Sequence, residues 1–139
     1  MRYWDSSAIV GLLVDEQPTS GLRKALDDDP GQTVWCLTPV EIASALARRM
    51  RDGLVPDREI SFRSGWKLLA DYWREIGDVE RVRARSLRLL SVHSLRASDA
   101  LQLAAALVAC EDRPESLSFV CLDDRLRDAA RREGFPIVP

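Results

Sequence analysis

The sequence predicts an α/β domain with a mainly parallel sheet of four to five short strands. Short apolar runs rich in aromatic and β-branched residues recur at residues 1–4, 33–37 and 118–122. Longer segments with helix punctuation lie between them, such as "TPVEIASALARRMRDG" at 38–53. Strands separated by helices are joined by crossovers, which favour parallel pairing.

In order along the chain, residues 1–4 read as a strand and 7–14 as a helix. Pro18 and Thr19 open a second helix that ends near "DDDPG". "TVWCL", 33–37, is an apolar, β-rich run that suits a buried strand. The helix at 38–53 has Thr38 as its cap, Pro39 at its first position and Gly53 as its stop. A further helix fits 58–71, and "YWREIG", 72–77, suits a short third strand. Residues 79–92 and 97–111 form two more helices, the second apolar almost all round and therefore central. "SFVCL" at 118–122 is a strand, 123–134 a helix closed by Gly134, and "PIV" at 136–138 a last strand.

The 139 residues fit one domain, 1–139. Hydrophobic residues make up 46% and charged residues 30%, a globular balance that needs no staple. Asp5 interrupts any signal-peptide core, and the most apolar stretch, "ALQLAAALVAC", is shorter than the ~20 residues of a membrane span. A soluble protein is expected. Cys36, Cys110 and Cys121 are odd in number, lack C-x-x-C spacing and sit in apolar runs. They read as buried reduced thiols, which suits the cytoplasm. A formal charge of −2 gives no global basic signature. Arginine outnumbers lysine, which occurs only at Lys24 and Lys67, and the guanidinium fork suits phosphate.

Acids stand at three strand-to-helix junctions: Asp5, Glu41, and the pair Asp123 and Asp124. In open α/β sheets ligands bind beyond the carboxyl ends of the strands, so these acids share one edge. Helix capping explains each acid singly, and Thr38 with Glu41 forms a T-x-x-E capping box. Together they imply more, because converging carboxylates repel and burial raises their pKa values. The usual remedy is a basic neighbour or a cation; no Lys sits at these junctions, and Arg96 and Arg125 are the possible basic partners. Oxygen donors without a Cys or His cluster favour Mg²⁺ or Mn²⁺ over Zn²⁺. Asp99, in "LRASDALQLAAAL", follows a helix rather than a strand, and its spacing ties it to no other acid.

Four segments together resemble the PIN-domain family, specifically the VapC-type ribonuclease toxins of type II toxin–antitoxin pairs. "YWDSSAIV" supplies Asp5, "TPVEIASALARR" supplies Glu41, "LRASDALQLAAAL" supplies Asp99 and "FVCLDDRLRDAA" supplies Asp123. The resemblance covers essentially the whole chain. It implies a three-layer α/β/α fold in which Asp99 folds back beside Asp5. It also implies a metal-dependent endoribonuclease cleaving structured RNA, a cognate antitoxin and a homodimer. The chain departs from the family pattern at Cys121, where Thr or Ser is usual, and at Ser6, where Thr is commoner. Asp124 is the rival for the fourth acid.

On that resemblance, Asp5 and Asp99 are the main ligands of one Mg²⁺, with Mn²⁺ as a substitute. Glu41 completes the pocket and orients water, and Asp123 supports the first metal or a second one. Ser7 bonds a metal-held water or caps its helix. Without the four acids the charge of −2 becomes +2, so the remaining surface is mildly basic. Arg48, Arg96 and Arg125 are the candidate phosphate contacts, and Arg49 and Arg51 share the Glu41 helix. The apolar residues Trp66, Leu68, Leu69, Tyr72 and Trp73 suit core packing or a partner's surface.

Other chemistries fit poorly. The one histidine, His93, reads as an incidental polar residue in a surface turn, and there is no G-x-S-x-G. No phosphate-binding G-x-x-x-x-G-K-[ST] loop exists. Two alternatives stay open. One is a phosphate-receiver-like domain using an acidic Mg²⁺ pocket for signalling, although such domains usually want paired acids after the first strand and a late Lys, whereas Asp5 stands alone and "FPIVP" has no Lys. The other is a PIN-like binding module whose acids only cap helices.

Overall fold

A computed structural model describes residues 1–14, 19–54, 70–71 and 73–139. Five strands form one sheet: β1 (Arg2–Trp4), β2 (Gln32–Trp35), β3 (Trp73–Ile76), β4 (Phe119–Val120) and β5 (Ile137–Val138). Their order is β3-β2-β1-β4-β5, and all pairings are parallel. The described helices are α1 (Ser6–Val14), α2 (Thr19–Asp28), α3 (Thr38–Arg51), α4 (Val79–Val92), α5 (Ala97–Ala109) and α6 (Asp124–Arg132). A 3-10 turn spans Pro114–Ser116.

Two apolar cores lie on opposite faces of the sheet, because successive strand residues point to opposite sides. Tyr3, Trp35 and Phe119 face one core with α4, α5 and α6. Their neighbours Trp4, Val34 and Val120 face the other with α1, α2 and α3. Strands covered on both faces need no polar face, which is why "VWC" shows no alternation, and the buried polar residues Gln32 and Thr33 sit at the start of β2. The result is the expected three-layer α/β/α arrangement around a parallel sheet.

Several boundaries differ from the sequence reading. β2 stops at Trp35 rather than residue 37. The Cys36 N–H still donates to Ile76 C=O at 3.1 Å, after which Cys36 and Leu37 turn into α3. β4 keeps only Phe119 and Val120, because the next three residues leave the sheet to bond α1 and cap α6. α5 ends at Ala109, where Glu111 and Asp112 adopt left-handed backbone. The short third strand is present as β3. The helix expected at 58–71 lies outside the described residues except at its end, as do Trp66, Leu68, Leu69, Tyr72 and Pro18.

Gly134 closes α6 as expected. Its φ of +100° suits a residue without a side chain, and its N–H donates to Arg131 C=O at 3.1 Å. The Phe135 N–H reaches back to Ala130 C=O at 3.0 Å, completing a Schellman cap. His93 is not an incidental polar residue. It caps α4, and its Nε2 lies 2.7 Å from Glu133 Oε1, so it ties α4 to the end of α6. Glu133 also pairs with Arg88.

Candidate functional site

Because the sheet is parallel, β1, β2 and β4 end at one edge. The chain moves outward from β1 through β2 to β3, then returns to lay β4 on the other side of β1. Such a switch in direction opens a crevice at the carboxyl edge. Asp5 and Asp123 follow the two strands that flank it.

Asp5 forms the floor and is only 3% exposed. Its N–H donates to Val120 C=O at 3.0 Å, which fastens it to β4. Its Oδ2 accepts from Ser7 N–H at 2.9 Å, so Asp5 caps α1. The Cys121 thiol approaches the same oxygen at 3.5 Å. Ser7 is therefore not the cap. Its hydroxyl accepts the Leu122 N–H at 3.0 Å and pins the chain beyond β4.

The capping box expected of Thr38 and Glu41 does not form. The α3 cap is Leu37, with no side-chain bond, and Thr38 is fully buried inside the first turn. Both side chains instead meet Gln102 of α5. The Gln102 Nε2 donates to Thr38 Oγ1 at 3.1 Å and to Glu41 Oε2 at 2.9 Å. Its Oε1 accepts from the Tyr3 hydroxyl at 2.7 Å. Gln102, Thr38 and Cys121 were not among the candidate site residues. Gln102 carried a signal, as the lone polar side chain in "ALQLAAALVAC".

Asp99 lies in the first turn of α5 and accepts the Arg96 N–H at 3.3 Å. Asp123 caps α6 by accepting the Leu126 N–H at 2.9 Å. Asp124 points outward, its side chain 96% exposed.

All four acids line one cleft of about 640 Å³: Asp5, Glu41, Asp99 and Asp123, with Ser7 and Arg48 beside them. Asp124, Arg96 and Arg125 do not line it. Burial pushes the Asp5 carboxyl up, and the Asp99 charge adds to the rise, against hydrogen bonds from Ser7 and Cys121. Burial likewise raises Glu41, and the charges of Asp5 and Asp99 add to it, against bonds from Ser6 and Gln102. The acids thus act on one another electrostatically, Asp99 included.

No family model matches the chain, and no curated protein matches it. Solved structures do resemble it. One is a chain of a toxin–antitoxin complex from Klebsiella pneumoniae, with TM-score 0.63 and 14% identity over 88% of this chain and 87% of that one. Another is a chain of FitAcB from Neisseria gonorrhoeae, with TM-score 0.61 and 16% identity over 100% of this chain and 97% of that one. At such identities the likeness is one of fold.

The donor set suits a hard divalent ion in charge and in atom type, being all carboxylate oxygen with mutual repulsion to relieve. The geometry is less gathered. Among the described residues, no three His, Cys, Asp or Glu stand close enough to share a metal ion. Local donors hold each acid at the cleft wall: Ser7 for Asp5, Gln102 for Glu41, Arg96 for Asp99 and Leu126 for Asp123. Among the described residues no helix is long and apolar enough to cross a membrane.

Proposed function

We propose that this chain is a Mg²⁺- or Mn²⁺-dependent endoribonuclease, the toxin of a toxin–antitoxin pair. The observation that carries this reading is the shared cleft of four acids, two of them raised by burial and by the charge of their neighbours. The likeness in fold to a chain of a toxin–antitoxin complex supports it. Asp5 and Asp99 would be the main ligands, with Glu41 and Asp123 in support. A divalent ion there supplies a Lewis acid for the phosphate and a lower pKa for water. Glu41, held by Gln102, orients the attacking water. Arg48 at the cleft wall receives a flanking phosphate of the RNA. A cognate antitoxin restrains the enzyme in the cytoplasm, and the active form is a homodimer of PIN-like domains.

The test is to map RNA breaks with Mg²⁺, Mn²⁺ or EDTA, beside Asp5→Ala and Asp99→Asn proteins. Cleavage should need the metal and fall by at least about 100-fold in either variant. An Asp99→Asn protein with full activity would sink the scheme.

A second reading is favoured by three hydrogen bonds. Asp5 and Asp123 cap helices, and Asp99 bonds the amide at its helix start, as acids in a non-catalytic binding module would. Metal titration separates the two. A cap-only protein gains no thermal stability from Mn²⁺, whereas a binding site is stabilised by linkage.

A further inference from the structure

We infer that Gln102 is a positioning residue for the acidic cleft, its buried amide clamping the Glu41 carboxylate in place. This rests on the metal-dependent reading above and assigns a role to a residue that touches neither metal nor RNA.

Gln102 is 1% exposed and lies on α5 among alanines, leucines and a valine. A buried amide without partners is strongly unfavourable, and an apolar residue would pack there more simply. Here both amide N–H groups and the carbonyl are engaged. Oε1 accepts from Tyr3 of β1 at 2.7 Å. Nε2 donates to Thr38 at 3.1 Å and Glu41 at 2.9 Å, both on α3. One side chain thus joins the central strand to helices on opposite faces of the sheet.

The amide has only one workable orientation. Turned over, its carbonyl oxygen would face the Glu41 carboxylate, acceptor against acceptor. The donor end therefore faces Glu41, and the Tyr3 hydroxyl holds the other end. Glu41 is a long side chain with three rotatable bonds, and one fixed donor at Oε2 removes much of that freedom. Asp99 lies three residues before Gln102, on the same face of α5. A single helix therefore presents one acid and holds the other.

The experiment measures Mn²⁺ affinity by calorimetry and RNA cleavage in Mg²⁺. It uses the full chain as wild type, Gln102→Met, Glu41→Ala, the double variant and Tyr3→Phe, with metal-free thermal unfolding as the fold control. Gln102→Met should weaken Mn²⁺ binding by about 10-fold to 100-fold, the range for residues that orient metal ligands. In the Glu41→Ala background the same change should cost less than about 2-fold, because Gln102 acts through Glu41. A merely structural Gln102 would lose as much in either background, and that result overturns the proposal. So does a folded Gln102→Met that binds Mn²⁺ like wild type. Should Gln102→Met fail to fold, Tyr3→Phe decides: it keeps the packing and frees the amide. Weakened Mn²⁺ binding then supports the clamp, and unchanged binding overturns it. A wild-type protein that binds no Mn²⁺ overturns the metal reading and this proposal with it. Normal wild-type binding with an unaffected Gln102→Met overturns the clamp alone.

Discussion

The Cys121 thiol meets the Asp5 carboxylate at 3.5 Å, joining residues 116 positions apart in the chain. Burial raises the thiol pKa, and the Asp5 charge raises it further, so sulfur stays protonated and donates. The same sulfur accepts the Asp123 N–H at 3.3 Å. Removing it leaves a buried carboxylate short of a donor. Cys121→Ala should therefore lower stability by about 1–3 kcal/mol in urea unfolding, and Cys121→Ser, which keeps a donor, by less. Equal stability of Cys121→Ala and wild type would contradict this link.

Asp5 opposes folding when no metal is bound. Its folded pKa is raised, so the folded state holds more protons than the unfolded chain between the ordinary value, about 3.9, and the raised one. Stability then falls as pH rises through that window, and the penalty persists above it. Asparagine caps helices as well as aspartate does. Asp5→Asn should make the metal-free protein more stable at pH 7, flatten its stability profile above about pH 4 and abolish stabilisation by Mn²⁺. Thermal melts across pH, with and without Mn²⁺, read all three.

Asp123 and Asp124 should separate cleanly. Asp123 caps α6 and lines the cleft, whereas Asp124 is 96% exposed at the side chain. Asp123→Ala should lose about 1 kcal/mol of stability and weaken Mn²⁺ binding. Asp124→Ala should stay within about 0.5 kcal/mol of wild type and bind Mn²⁺ normally. The reverse pattern in a Mn²⁺ titration would move the fourth acid to Asp124.

Glu133 behaves oppositely to Asp5. Burial works to raise it, but hydrogen bonds from Arg88 and His93 prevail and hold its carboxyl below the usual range. A depressed acid contributes stability above its unfolded pKa, about 4.3, and loses it as pH falls through the folded value. Glu133→Gln should be about 1 kcal/mol less stable than wild type at pH 7, with the gap closing under acid conditions. A gap that persisted at pH 2 would show that packing, rather than charge, is involved.

The fold was legible where local chemistry and tertiary packing agree. Gly53 and Gly134 end their helices as their lack of a side chain suggests, and "VERVRARSLRLLSV" is helical over the range its pattern implies. Sheet-edge reasoning found Asp5, Glu41 and Asp123, because each follows a strand of one parallel sheet. It could not find Asp99, whose helix follows a helix. Only the packing of α5 against α4 and β2 brings that first turn to the cleft. Local rules failed where tertiary partners outbid them. Thr38 and Glu41 forgo their capping box for Gln102, and Ser7 forgoes the α1 cap for Leu122.

Strand order also has a consequence for synthesis. β1 lies at the centre of the sheet, yet its partner β4 is made more than a hundred residues after it. A ribosome therefore releases Asp5 well before Val120 and Cys121, the residues that fasten it. The acidic floor can assemble only once β4 and Cys121 have emerged. Nascent fragments lacking β4 should be without the completed cleft, so whatever chemistry it performs is withheld until β4 has been made.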